Sequence, residues 1–249
     1  MNEYGKLCTE CYDELYKYPP KDELELYLRY IANAQKPILE PMCGAGRFLI
    51  PILERGHQIY GFDHSSAMVQ ECQDKILRKD LSAHIQQASL DDFSYDFQFD
   101  VIFITSGSFG LITDPHKARK CLDRVSAHLA DNGVFLVEIE TPLVAHTELN
   151  TVQKTEIEKS KSEKLLVQRV ASYDSKKALY QAEVLFQRIS DGGVSESEKM
   201  EFRVKHYVPA KFESLLRTAH FKHITAVQCD DSQSSSHTAS STIIYECRK

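Results

Sequence analysis

An α/β fold built on a parallel sheet is what this 249-residue sequence predicts, and three observations predict it. Short apolar runs alternate with amphipathic segments from residue 38 to residue 140, the pattern of parallel strands joined by right-handed helical crossovers. The first run, Ile38-Leu39-Glu40-Pro41, ends on an acid and leads through Met42-Cys43-Gly44-Ala45-Gly46 into an amphipathic segment, which reads as strand, turn and helix N-terminus. After Pro142 the periodicity changes to strand-like alternation, so an antiparallel sheet is expected to follow the parallel one.

Residues 1–20 contain Tyr4, Tyr12, Tyr16 and Tyr18 and end at Pro19-Pro20. The tyrosines read either as the packed face of an amphipathic N-terminal helix or as an aromatic lid over a ligand. A helix is expected over 22–33, with Leu24, Leu28 and Ile31 on one face and Tyr27 beside them. A buried strand at 38–40 leads to a helix at 48–55 that Gly56 ends. A second strand at 58–63 leads to a helix capped by Ser65 or Ser66 and running to about 79, with Met68, Val69, Cys72 and Ile76 inward. A short strand is expected at 83–88 and a strongly apolar one at 99–105. Pro115 opens a helix through 129, and Asp131-Asn132-Gly133 turns into a fifth strand at 134–139.

Beyond Pro142, residues 165–172, 178–189 and 198–207 read as extended, separated by turn chemistry at 173–177 and 191–193. Alternation over 179–189 predicts one wet face. Pro209 starts a helix over 210–219, and 222–228 with 241–247 forms a closing hairpin around a serine-rich mobile loop, 232–241. One domain is expected: an N-terminal helical lid (1–36), a ligand-binding core (37–142), a lid insertion (about 160–208) and a C-terminal helix and hairpin completing the core (209–249).

A net charge of −6 argues against a nucleic-acid or anionic-membrane partner, because no global basic field would steer one in. No apolar run reaches the roughly 18 residues of a membrane span. Met1-Asn2-Glu3-Tyr4 lacks a basic region and an apolar core, so no secretory leader is expected, and the odd count of seven cysteines fits free thiols in a reducing cytoplasm. Cys8 and Cys11 form a CxxC without a second ligand pair, so no metal site is expected.

The Gly-x-Gly turn has two readings. A dinucleotide site wants a third glycine, but that position is Leu49, and Glu40 at the strand end would repel a pyrophosphate. The acid suits a cationic ligand instead, one carrying an ammonium and a sulfonium. Here Ile38 to Phe48 resembles motif I of the class I S-adenosylmethionine-dependent methyltransferases, with Gly44 and Gly46 kept and Met42 at the first family glycine. The departure at Met42 is expected to be tolerated without a positive φ. Tyr60-Gly61-Phe62-Asp63 is similar to the second family strand, whose terminal acid binds both ribose hydroxyls, and a carboxylate's two oxygens match a vicinal diol. His64, Ser65 and Met68 follow where the family makes adenine contacts. Gln87 to Phe93 is similar to the third motif, with Ser89 in place of the acid that meets the adenine amine, so recognition there leans on backbone near Ser89 and Leu90. Residues 99–109 and 129–138 resemble the fourth strand with its loop and the entry to the fifth.

The resemblance implies a Rossmann-like, doubly wound, mostly parallel seven-stranded sheet with an antiparallel C-terminal hairpin and an inserted antiparallel lid sheet. It implies S-adenosyl-L-methionine as cofactor, S-adenosyl-L-homocysteine as product, and Glu40, Met42, Gly44, Gly46, Arg47, Asp63, His64, Met68, Ser89, Leu90, Thr105, Tyr12 and Tyr16 as cofactor-binding residues. Methyl transfer from a sulfonium needs alignment and exclusion of water more than a strong acid or base. The acceptor-side candidates are Ser106, Ser108, Glu140, His206 and Tyr207, each with an ordinary structural role open to it as well. The inserted segment is similar to lid sheets of methyltransferases acting on small molecules, which implies an N or O acceptor on a small molecule and leaves a homodimer through the lid sheet open. A non-catalytic S-adenosylmethionine-binding protein and an NAD(P)-dependent oxidoreductase are the alternatives.

Overall fold

The structure is a computed structural model and describes residues 4–144, 148–227 and 241–249. Two sheets organise it. The larger has seven strands in the order β10-β11-β5-β4-β1-β2-β3. Its strands are β1 (Ile38–Pro41), β2 (Ile59–Asp63), β3 (His84–Gln87), β4 (Phe99–Ile104), β5 (Leu129–Glu140), β10 (His223–Val227) and β11 (Thr242–Arg248). β1 to β5 are mutually parallel, while β11 runs antiparallel to both β5 and β10.

Residues of the central strands alternate between two apolar layers, as a sheet covered on both faces requires. Leu39, Ile102, Ile104, Phe135 and Val137 join α5 (Pro115–His128) and α6 (Pro209–Thr218) in one layer. Ile38, Val101, Phe103, Val134 and Leu136 join α2 (Lys21–Ile31), α3 (Leu49–Glu54) and α4 (Ser66–Arg78) in the other. Ser65 caps α4 by accepting from Met68 N at 3.1 Å, and Asp114 caps α5 by accepting from Lys117 N at 2.8 Å.

The second sheet is antiparallel, in the order β6-β7-β8-β9, with β6 (Val152–Glu158), β7 (Glu163–Asp174), β8 (Leu179–Ser190) and β9 (Gly193–Lys205). β6 is a strand the sequence reading lacked, and β9 begins five residues before the expected 198 because Ser190 pairs with Gly193 across a two-residue turn. A second difference lies in β5. Asp131-Asn132-Gly133 does not precede the strand but lies within it, in a register shift where Phe99 pairs with Leu129 and Val101 with Val134. Most of the serine-rich 232–241 lies outside the described residues.

The N-terminal helix α1 (Lys6–Leu15) belongs to the second sheet as much as to the first. Leu7, Cys8 and Cys11 pack against Leu165, Ala182, Val184, Phe186 and Met200. Glu198 of β9 supplies its missing N-cap, accepting from Leu7 N at 3.0 Å and Cys8 N at 3.3 Å. Arg188 binds Glu10 and Glu163, and Lys159 binds Glu10 and Glu14. On its other side, Asp13 pairs with Lys75 of α4, whose Nζ also donates to Ala45 O at 3.0 Å. The helix therefore ties the antiparallel sheet to the glycine turn.

Candidate functional site

The carboxyl ends of β1, β2 and β4 open onto one cavity, in the crevice where open parallel sheets bind ligands. Its wall is the turn after β1. Cys43 N donates to Phe62 O at 3.0 Å, which folds the turn back over β2. This geometry puts Met42 at φ 58°, Gly44 at 54° and Gly46 at 83°. The expectation that Met42 avoids a positive φ is thereby corrected: the turn holds it in the left-handed region, which disfavours a side chain by about 1–2 kcal/mol.

The two glycines differ in role. A Cβ on Gly44 would meet only Met68 Sδ, at 3.8 Å, so this backbone is open to the cavity. Gly46 does not line the cavity; a Cβ there would meet Cys72 Sγ at 2.8 Å and Ile50 Cδ1 at 2.9 Å. Its absent side chain lets α4 and the start of α3 close on the turn. Gly46→Ala adds left-handed strain to overpacking and is expected to destabilise the fold by about 2–4 kcal/mol. Denaturant unfolding measures it, and a loss near zero would contradict the packing role.

Two acids sit at the strand ends. Asp63 Oδ2 accepts from Gly44 N and Oδ1 from Ser65 N, both at 2.9 Å, so each oxygen is oriented and keeps capacity for a second donor. Burial pushes its pKa up, against the pull of those amides. Glu40 is 2% exposed, and its Oε2 has no hydrogen-bond partner. Burial raises it well above the usual carboxylate range, with Arg47 pulling the other way. A buried carboxylate oxygen without a donor is stabilised by a cation or a proton.

The other expected residues divide. Met42, Gly44, Arg47, His64, Met68, Leu90, Thr105 and Tyr12 line the cavity with Glu40 and Asp63. Tyr16 stands outside it, its ring 4.8 Å from that of Tyr12 and 5.7 Å from the Arg47 guanidinium. Ser89 also stands outside; its hydroxyl is spent on Asp91, which pairs with Lys117 at 3.3 Å, while the neighbours Ala88 and Leu90 face the cavity. Of the acceptor-side candidates, Ser106 and Ser108 line the cavity. Ser106, at φ 59°, is held by Arg47 through its hydroxyl and by Glu138 Oε2, which accepts its amide at 2.9 Å. Glu140 and His206 meet at 3.2 Å beside this loop, with the His206 side chain buried. Tyr207 points into the core against Phe109 and Phe212, with its hydroxyl 3.4 Å from Ile112 O.

Tyr4 and Glu138 were absent from the expected site. Tyr4 lines the cavity, and its carbonyl accepts from Ser65 Oγ at 2.6 Å. Its signal was the stripe Tyr4-Cys8-Tyr12-Tyr16 at helical spacing. Glu138 is an acid inside the apolar run of β5, on the face that packs α2; burial and the nearby Glu23 push its pKa up to about 7.

Residues 38–133 match a protein-family profile described as a methyltransferase domain. The segment covers the cavity turn, both strand-end acids and β4. Over this segment the chain is similar to a methyltransferase domain. The curated relative "Putative methyltransferase YqeM" of Bacillus subtilis (strain 168) is 25% identical over 130 residues, 52% of this chain. The chain spans about half of that relative, 53% of its length. Solved structures extend the likeness of fold to nearly the whole chain. An S-adenosylmethionine-dependent methyltransferase from Clostridium acetobutylicum ATCC 824 has a TM-score of 0.77 at 16% identity, over 96% of both chains. The sugar N-methyltransferase KedS8 from Streptoalloteichus sp ATCC 53650 has a TM-score of 0.75 at 15% identity, over 96% of this chain and 93% of its own. The likeness of fold thus extends beyond residues 38–133 to nearly the whole chain.

Proposed function

We propose that the chain transfers a methyl group from S-adenosylmethionine to nitrogen or oxygen of a small molecule, releasing S-adenosylhomocysteine. The observation that carries this reading is the roofed cavity: α1, held by the antiparallel sheet, brings Tyr4 and Tyr12 over the strand ends. Such a roof encloses a metabolite and obstructs a folded macromolecule.

The residues present fit the donor. The partnerless Glu40 Oε2 suits an ammonium, Asp63 suits the ribose diol, the open backbone of Gly44 allows close approach, and Met68 and Leu90 offer apolar surface to a ring. When bound, the donor supplies a methyl already activated by its sulfonium. The chain's part is to align the partners, exclude water and, where the acceptor arrives protonated, take a proton. Glu140, oriented by His206, is the acceptor-side carboxylate of this reading.

Glu40 gives a pH test. Its raised pKa means the carboxyl is protonated in the free protein until the pH passes that value, and an ammonium favours the ionised form. Across the pH range in which Glu40 titrates, donor binding is therefore expected to release protons, seen as a calorimetric heat that varies with the buffer's ionisation enthalpy. Glu40→Gln removes that dependence. A buffer-independent heat in the unaltered protein contradicts the role.

The activity itself is tested by incubating the protein with labelled S-adenosylmethionine and a panel of small amines and phenols, against protein and RNA acceptors. Label on a small molecule supports the reading; label only on macromolecules overturns it. Six described cysteines are buried free thiols, which supports a cytoplasmic setting, and among the described residues no helix is long and apolar enough to cross a membrane. The edge strands β6 and β9 are the surfaces through which two chains would pair, and sedimentation measures whether they do.

A further inference from the structure

A second chamber, of about 240 Å3, lies between α1 and the inner face of the antiparallel sheet. It shares Tyr4 and Tyr12 with the donor cavity, so the two rings form a common wall. From α1 it takes Cys8 and Tyr12, one turn apart on the same helix face, with Tyr4 from the segment before the helix and Tyr16 from its C-cap. From the sheet it takes the inward row of β8, Tyr180, Ala182, Val184 and Phe186, and Phe202 and Val204 opposite on β9, where Ala182 pairs with Phe202 and Tyr180 with Val204. The walls are thus largely aromatic rings and short aliphatic side chains.

One cation interrupts them. Arg169 of β7 pairs with Val184 in register and lines the same chamber from its exposed rim. Its hydrogen-bonded partner is the neutral side chain of Gln153, in contrast to Arg188 on the same inner face, which holds three carboxylates.

We propose that this chamber binds the non-reacting body of the methyl acceptor, and that the acceptor is a planar aromatic molecule carrying an anionic group that pairs with Arg169. The inference rests on the methyltransferase reading for the word acceptor, but the binding specificity stands on the chamber alone. Aromatic rings stack on the tyrosine and phenylalanine faces, and a fork of guanidinium donors with no acidic partner among the described residues selects a carboxylate or phosphate. Tyr4 and Tyr12, shared by both, place the chamber beside the donor cavity, and these rings would have to move aside for the acceptor's nucleophile to reach the methyl.

The test is calorimetric titration of the full chain, saturated with S-adenosylhomocysteine, with naphthoate and with its neutral amide. Naphthoate is expected to bind about tenfold more tightly than the amide, the scale of one charge-assisted hydrogen bond. Arg169→Gln should bring the two to equal affinity without weakening the amide. Ala182→Phe, which puts a ring into the chamber, should remove binding of both while S-adenosylhomocysteine still binds. Should that variant fail to fold, the exposed Arg169→Gln carries the test by itself. The proposal is overturned if naphthoate does not bind the unaltered protein at about millimolar concentration, or if Arg169→Gln leaves its preference over the amide intact. S-adenosylhomocysteine failing to bind would instead remove the donor reading, leaving the naphthoate result to judge the chamber.

Discussion

Replacing Asp63 by alanine is expected to weaken binding of S-adenosylmethionine by about 1.5–3 kcal/mol, the worth of hydrogen bonds to a charged group. Both oxygens are aimed by backbone amides, Gly44 N and Ser65 N, each at 2.9 Å. The carboxylate is therefore positioned before any ligand arrives, and a vicinal diol would meet a preformed pair of acceptors. The same amides lose their partner in the variant, so a fall in melting temperature accompanies the loss of affinity. Asp63→Asn separates the effects. It keeps one acceptor oxygen for the turn and loses the charge, so its affinity should lie between those of the other two. Calorimetry on all three proteins makes the comparison, and unchanged donor affinity in Asp63→Ala would remove Asp63 from the site.

Glu138→Gln should stabilise the free protein in alkaline solution. The Glu138 carboxyl is pushed up to about 7 by burial and by the nearby Glu23, and the Ser106 amide opposes this. Because the folded pKa lies above the unfolded one, the proton is held more tightly in the fold. Stability from this group is fully present below about pH 4.5, is lost as pH rises toward 7, and stays lost above. Glutamine remains neutral, and its carbonyl still accepts from Ser106 N. The variant should match the unaltered protein near pH 4 and exceed it by about 2–3 kcal/mol near pH 8. Denaturant unfolding at the two pH values reads the difference directly, with groups common to both proteins cancelling. Equal or lower stability of the variant at the higher pH contradicts the assigned burial cost. An acid kept at that cost, beneath the loop that carries Ser106, ties the loop's position to a buried carboxylate that packing alone would not favour.

The legibility of the sequence follows from the type of signal. Strands buried on both faces, such as Val101-Ile102-Phe103-Ile104 and Phe135-Leu136-Val137, read as continuous apolar runs and were found. The strand β6 carries Gln153, Lys154, Glu156 and Glu158 at a sheet edge, with little buried apolar surface, so no periodicity marked it. Glu40, Gly44 and Asp63 were legible because one short turn brings strand ends together at fixed spacing. The positive φ of Met42 was not, because it follows from the hydrogen bond between Cys43 N and Phe62 O, a contact across strands. Glu138 was visible as an acid in an apolar strand, but its burial depends on α2. The second chamber had only half a signal: the N-terminal tyrosines on and beside α1 were in view, whereas their partners on β8 and β9 lie far away in sequence.

The site assignment stands on the strand-end turn serving a sulfonium donor rather than a dinucleotide. Calorimetric titration of the purified chain with S-adenosylmethionine and, separately, with NADH tests this most directly. Saturable binding of S-adenosylmethionine at about micromolar to tens-of-micromolar concentration, with none of NADH, is the expected result. Binding of NADH, with none of S-adenosylmethionine at about millimolar concentration, would contradict it.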